Sequence, residues 1–367
     1  MTLTDSLRKQ YTSERLSAVQ AQELAHLISW GPVVFQVARL MNKYGIFELL
    51  DNNTQGLHAV EIEQHTGLST YAVKCLMEAA LTTHMVILDD QNDIYTLGKT
   101  GWFLLNDPLI RADIDFNHDV NYEGWFVLDK ALETGKPAGL KHFGDWDTIY
   151  EALSSLPAQV QKSWFGFDHY YSDHSFAEAM DIIFRKPLHH LLDVGGNTGK
   201  FARRVAEYNS EVEITICDLP QQLQMMREQT KGHPAENRIH GFAMNLLDAS
   251  AAFPKEAHYD VIWMSQFLDC FSEREIVSIL TRAAKILDAD NRVVIMETLW
   301  DRQKYAPAAM ALTMTSLYFT ALANGNSKMY NTDDMSRLIN EAGLEIESIH
   351  DNIGMGGHSL LICKKVN

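Results

Sequence analysis

From residue 186 onward, short apolar runs alternate with amphipathic stretches. HHLLDV, EVEITICDL, RIHGFAM, YDVIWMSQF and RVVIMETL read as strands; GKFARRVAEY, PQQLQMMREQ, REIVSILTRAAKIL and TDDMSRLINEAG read as helices. Strands that alternate with helices predict βαβ units, and hence an α/β fold with a parallel sheet covered on both faces. The tail, LEIESIHDNIGMGGHSLLICKK, holds two runs joined by Gly-rich punctuation. It predicts an antiparallel pair at or near the sheet edge.

Residues 20 to about 105 have a different texture and read as mainly helical. GPVVFQVARLMNKYGIFELL is apolar on more than one face, which in a peripheral domain points to a partner subunit. HAVEIEQHTGLSTYAVKCLMEAALTTH then reads as helix, turn at Gly67, and a second helix capped by Ser69 or Thr70. MVILDDQNDIYTL supplies two β-rich runs around a polar turn, the wing of a winged helix-turn-helix. Between the two textures, KSWFGFDHYYSDHSFAEAM sets Trp164, Phe165, Phe167, Tyr170 and Tyr171 among Asp168, His169, Asp173 and His174. Rings interleaved with polar groups at helical spacing fit either a plain core or a wet, ring-lined pocket.

Charge narrows the partners. With 48 acidic and 31 basic residues the formal charge is -17, which repels phosphate backbones and anionic membranes. Residues 58–99 carry six acids and two bases, so this helix-turn-helix is not expected to grip DNA. Cys75, Cys217, Cys270 and Cys363 are scattered without a C-x-x-C pair. They read as buried free thiols in a reducing compartment, with no metal site and no disulfide framework. No signal-peptide pattern opens the chain and no apolar run approaches a membrane span, so a cytoplasmic protein is expected.

LLDVGGNTGKF joins the first strand of the alternating region to its first helix. Gly195, Gly196 and Gly199 allow a tight turn and close approach of backbone to ligand. The spacing is neither G-x-G-x-x-G nor G-x-x-x-x-G-K-[ST], so dinucleotide and Walker sites are poorly matched. Asp193 would repel a pyrophosphate but suits a cationic ligand. Asp218, ending the next strand in ITICDLP, can accept both hydroxyls of a ribose.

DVGGNTGKF, CDLP and the N-terminal winged helix together resemble the S-adenosylmethionine-dependent O-methyltransferases of the caffeate and hydroxyindole type. The resemblance spans nearly the whole chain. It implies a Rossmann-like, seven-stranded, mostly parallel sheet with a helical dimerisation domain. The corresponding domains are a winged-helix dimerisation domain at 1–110, linking helices that line the acceptor pocket at 111–185, and a cofactor-binding methyltransferase domain at 186–367. It further implies a homodimer, S-adenosylmethionine as cofactor and a small aromatic acceptor. Asp193, Gly195, Gly196 and Gly199 match the cofactor's methionine site, and Asp218 with Leu219 the ribose site. Asn245 and Leu246 stand where the family has an Asp-Met pair beside adenine. Ser175 matches an SDHS segment at the cofactor mouth, and Ser265 replaces a family lysine. Trp164, Phe167, Tyr171 and His174 then line the acceptor pocket.

The catalytic positions depart from the family. Its pattern L-H-D-W-S-D, whose His takes the phenol proton, reads L-D-C-F-S-E here. Asp269 therefore occupies the His position, with Cys270 and Phe271 following. Glu297 matches one of two acids that hold the His; the second falls in KMYNTDD, at Tyr330 or Met329. Asp269 is either an acceptor-site group, as base or as orienting hydrogen-bond acceptor, or a helix cap. For the cap, Ser272 with Glu275 competes as a capping box. His118, His142, His169 and His174 are candidate substitute bases. O-methylation of a phenol is the family default. C-methylation of a phenol ring is the rival, and a transfer-inactive cofactor sensor or scaffold comes from a different class.

Overall fold

The computed structural model describes residues 3–255 and 258–366. The side chains of Ser6, His169, Tyr171, Ser172 and Asp173 lie outside the described residues, and with them the expectations for Tyr171 and His169. The chain divides into two compact units, residues 14–120 and residues 1–13 with 121–367.

In the unit 14–120, a two-stranded antiparallel hairpin, β1 (Val86–Asp89) and β2 (Ile94–Leu97), follows the helices Ala59–Thr66 and Thr70–Thr82. Gly67, at φ +69°, ends the first helix in the left-handed conformation that glycine adopts without strain. Ser69 caps the second by accepting Ala72 N–H. Val37, Met41, Phe47, Leu50, Ile62, Val73 and Met77 form the core of this unit. The helix Ala18–Ser29 buries no residue at all, and Ile28, Trp30 and Val33 are exposed.

In the other unit, β3 (His190–Val194), β4 (Glu213–Asp218), β5 (Ile239–Ala243), β6 (Val261–Ser265), β7 (Arg292–Glu297), β8 (Leu344–Ile353) and β9 (His358–Lys365) form a seven-stranded sheet in the order β5-β4-β3-β6-β7-β9-β8. β3 to β7 pair in parallel; β9 runs antiparallel to both β7 and β8. β7 is buried along its whole length, and β6 at all but its last residue. This is why RVVIMETL and YDVIWM read as continuous apolar runs rather than as alternations. On one side of the sheet, Phe201 of the helix Lys200–Tyr208 stacks on Trp263 with ring centroids 4.3 Å apart. On the other, Ile276, Ile279 and Leu280 of the helix Glu273–Lys285 pack with Leu192, Val194, Ile262 and Met264. Each such apolar side chain taken from water stabilises the fold by roughly 1.5–3 kcal/mol. The strand order reverses between β3 and β6, and ligands of open α/β sheets bind at the carboxyl ends beside such a reversal.

Two expectations need correction. Cys75 is exposed, not buried, because the helix Thr70–Thr82 turns Val73, Met77 and Ala80 inward instead. Among the described residues, the stretch Ala306–Ala323 is long and apolar enough by composition to cross a membrane, with mean hydropathy 1.3, and the bent pair Ala18–Ser29 with Gly31–Lys43 passes the same test if taken together. In the first stretch, Ala309, Leu312, Thr315, Tyr318 and Phe319 are buried within the protein.

Candidate active site

The loop after β3 is shaped by its glycines and by the acid beneath them. Gly195 has φ +75°, and a Cβ there would lie 2.3 Å from the Phe267 ring. A Cβ on Gly196 would lie 2.6 Å from Asp193 Oδ2. Asn197 also adopts a left-handed backbone, φ +50°, and its N–H donates to Asp218 Oδ2 at 2.8 Å. Leu219 N–H donates to the other Asp218 oxygen at 2.7 Å. Asp218 is thereby fixed at the end of β4 while a carboxylate's remaining lone pairs stay available.

Asp193 is almost fully buried and its Oδ2 has no hydrogen-bond partner. Burial, with the Asp218 charge second, pushes its pKa up to about 8. Burial makes the charged form of this acid costly, and a cationic group at the orphaned oxygen would offset that cost by favouring ionisation. The cleft is lined by Asp168, Asp193, Gly195, Gly196, Ser265 and Gln266, among others. Its void is about 120 Å³.

Asn245 and Leu246 do not line this cleft as it stands. Asn245 Oδ1 closes a local turn by accepting Leu247 N–H, and Leu246 is packed in the hydrophobic core. Ser175 is fully buried just before the helix Phe176–Ile183, where Gly354 of the β8–β9 turn packs against its Cα. Gln266 was not singled out by sequence reasoning. It lines the cleft with φ +45° and a buried Oε1 that lacks a partner; no sequence signal marks a Gln for that backbone conformation.

Beyond the cleft, the end of β6 turns through a 3-10 turn, Leu268–Cys270. Glu297, at the end of β7, holds this turn: its Oε1 accepts Phe267 N–H at 3.0 Å and Leu268 N–H at 2.8 Å. Asn324 Nδ2 donates to the Cys270 carbonyl, and Tyr330 Oη donates to the Phe271 carbonyl at 2.7 Å. Tyr330 thus acts on the loop backbone; its hydroxyl is already spent there. Ser272 N–H and Oγ–H both donate to Glu275, which leaves the helix start to that pair and Asp269 free of capping.

Asp269 is buried, and the Cys270 thiol donates to its Oδ1 at 3.5 Å. Burial raises its pKa to about 6. Glu297 is pushed well above the ordinary carboxyl range, by burial first and by the Asp269 charge second, so the pair resists double ionisation. Trp164 Nε1–H donates to Tyr318 Oη at 2.7 Å, tying the helix Ala158–Asp173 to the helix Ala306–Tyr318. Phe167, on the first of these helices, is half-buried, and Asp168 beside it reaches the cofactor cleft. His174 is exposed, its Nδ1 against the Tyr170 carbonyl. His118 and His142 are paired with Asp119 and Glu123.

A glycine loop over a buried acid, an acid closing the next strand, and this strand order define a class I S-adenosylmethionine-dependent methyltransferase. Known proteins agree. A model of the Dimerisation2-like domain matches residues 22–95 and a model of the O-methyltransferase domain matches residues 171–345. The L-tyrosine C(3)-methyltransferase of Streptomyces lavendulae is 23% identical over 351 residues, covering 92% of this chain and 91% of its own. The cephaeline 6'-O-methyltransferase of Carapichea ipecacuanha is 26% identical over 276 residues, 69% of this chain and 70% of its own. The apo structure of the S-adenosylmethionine-dependent methyltransferase SibL superposes with a TM-score of 0.71 at 22% identity, over 93% of this chain and 98% of that one. The neocarzinostatin-pathway O-methyltransferase NcsB1, solved with S-adenosylmethionine and 2-hydroxy-5-methyl naphthoic acid, gives 0.62 at 20% identity, over 90% and 96%. The chain belongs to the O-methyltransferase family that carries a Dimerisation2-like domain, and its cofactor is S-adenosylmethionine.

Proposed function

We propose that the enzyme methylates a small phenolic acceptor. The observation that carries this reading is Asp269: a buried carboxyl in the turn after β6, three residues past Gln266 of the cleft, with a pKa near 6. S-adenosylmethionine, when bound, supplies an electrophilic methyl group on a sulfonium. Asp193, Gly195, Gly196 and Asn197 would hold its methionine part, and Asp218 with Leu219 its ribose. An ordinary Asp, at about 3.9, is mismatched with a phenol, at about 10, by some six units; burial of Asp269 narrows that gap. Asp269 takes the phenol proton, and the charge it gives up is left on the phenol oxygen. Trp164 and Phe167 would line the acceptor pocket, and orientation of the acceptor supplies much of the acceleration.

O-methylation is the family's reaction. C-methylation of the ring is favoured by one specific observation: the relative covering 92% of this chain is named a C(3)-methyltransferase of tyrosine. In that case the phenolate electrons drive attack from the ring carbon, and a carboxylate removes the ring proton afterwards. Incubating the enzyme with S-adenosylmethionine and ring-deuterated phenols separates the readings. O-methylation keeps every ring deuterium, C-methylation loses one, and no methylated product from any phenol refutes both.

We further propose a homodimer, with the exposed apolar helix Ala18–Ser29 and its neighbour Gly31–Lys43 as the contact between copies. A reducing cytoplasm suits its four unpaired cysteines.

A further inference from the structure

Close to Asp269 lies a hydroxyl whose one partner within the protein is a thiol. Tyr150 sits on the short helix Ile149–Ala152, far in sequence from every motif described above. Its Oη is closed off from solvent and, among the described residues, has no oxygen or nitrogen partner; the one group that it meets within hydrogen-bond reach is the Cys270 thiol. The Cys270 thiol stands beside it, with Tyr318 and Asp269 among its charged or polar neighbours. Sulfur is a weak acceptor, so the thiol does not replace an oxygen partner. Tyr318, the other phenol of the cluster, already receives the Trp164 N–H. Buried polar groups in folded proteins are nearly always paired, and an exception calls for a ligand, a strain or a catalytic role.

We propose that Tyr150 is an acceptor-binding residue whose hydroxyl donates a hydrogen bond to the phenolic oxygen of the acceptor. This rests on the reading of a phenolic acceptor given above. The donor and acceptor pattern selects a hydroxyl over other groups. Asp269 needs a partner that gives up a proton; Tyr150 needs one that accepts a hydrogen bond. A ring hydroxyl meets both with a single atom. A carbonyl or an ether satisfies Tyr150 but has no proton for Asp269. As the acceptor proton passes to an Asp269 oxygen, negative charge grows on the phenol oxygen, where the Tyr150 hydrogen bond strengthens. Tyr150 keeps its own proton throughout.

The test uses the full-length enzyme saturated with S-adenosylhomocysteine, titrated with 4-nitrophenol, whose visible absorption rises on ionisation. A parallel titration uses 4-nitroanisole, which has the same ring and no hydroxyl. Tyr150→Phe is expected to weaken 4-nitrophenol at least about tenfold, to lower the ionised fraction of what binds, and to leave 4-nitroanisole unchanged. Cys270→Ser is the second variant, since its hydroxyl offers Tyr150 an oxygen inside the protein; it too should weaken 4-nitrophenol selectively. The proposal is overturned if neither variant alters 4-nitrophenol, or if both probes lose affinity equally, which marks Tyr150 as packing only. If the wild type binds no phenol at all, the phenolic reading itself falls, and this assignment with it.

Discussion

Gly196 stands directly over Asp193: a Cβ at Gly196 would come within 2.6 Å of the Asp193 Oδ2. Gly196→Ala must therefore displace the carboxylate from its place below the loop. S-adenosylmethionine affinity should fall at least about tenfold in isothermal titration, with the melting profile nearly intact. Gly166→Ala is the control: nothing lies within 4 Å of a Cβ there. In mid-helix it should leave cofactor binding alone and stabilise by roughly 0.5–1 kcal/mol.

Asp193 links cofactor binding to pH. Its folded pKa is raised to about 8 from an ordinary carboxyl value of 3.8, and a cationic ligand favours the ionised form. Affinity for S-adenosylmethionine should rise with pH up to about 8 and flatten above it. Titrations at pH 7 in buffers of different ionisation heat should detect proton release. The sign for stability is opposite. A raised carboxyl binds its proton more tightly when folded, so the unliganded protein loses stability as pH rises from near 4 through 8. Asp193→Asn should remove that loss, melting higher than wild type at pH 8 and level with it below pH 4, while binding cofactor poorly.

Asp269→Asn keeps the shape and removes the base. The rate of methyl transfer should drop by about 10²–10⁴ while affinity for S-adenosylhomocysteine is retained. In the wild type the rate should climb with pH through about 6, where Asp269 ionises. A variant as fast as wild type would remove Asp269 from the chemistry.

Glu297 makes a sharper case, because its charge is predicted not to matter. Burial and the Asp269 charge disfavour its ionised form, and its contribution is one oxygen accepting two backbone N–H groups. Glu297→Gln retains an oxygen there and should keep the rate within a few-fold of wild type, with an unshifted pH profile. Glu297→Ala orphans two buried amides, at about 1–3 kcal/mol each, and should lower both the melting temperature and the rate.

Ile28 and Trp30, exposed at the end of the helix Ala18–Ser29 and just past it, test the dimer. Light scattering should give twice the chain mass for wild type and the chain mass for Ile28→Glu/Trp30→Glu. A wild-type monomer would refute the proposed contact.

What the sequence made legible was local chemistry. The glycine loop, Asp193 and Asp218 lie within one βα unit and the strand after it, where residue type and backbone geometry are tightly coupled. The rhythm of buried strands was equally plain, because a sheet covered on both faces demands unbroken apolar runs. The Ser272–Glu275 pair settled the cap of the helix Glu273–Lys285 from four adjacent residues. What stayed hidden was brought together by packing across long separations. Tyr150 reaches Cys270 over more than a hundred residues of chain, and nothing in DTIYEAL announces it. Gln266 carries a left-handed backbone that no residue preference foretells. Leu246, matched to an adenine site by position, packs in the hydrophobic core, which its place in the sequence did not announce.

The turn after β6 is anchored by Glu297 at Phe267 and Leu268, by Asn324 at Cys270 and by Tyr330 at Phe271. None of these anchors uses the side chain of Asp269. That position is therefore a socket: its backbone is set by others, and its reactive group can be exchanged without rebuilding what surrounds it. A carboxyl stands there in this chain, and the same scaffold could host a different proton-transfer group.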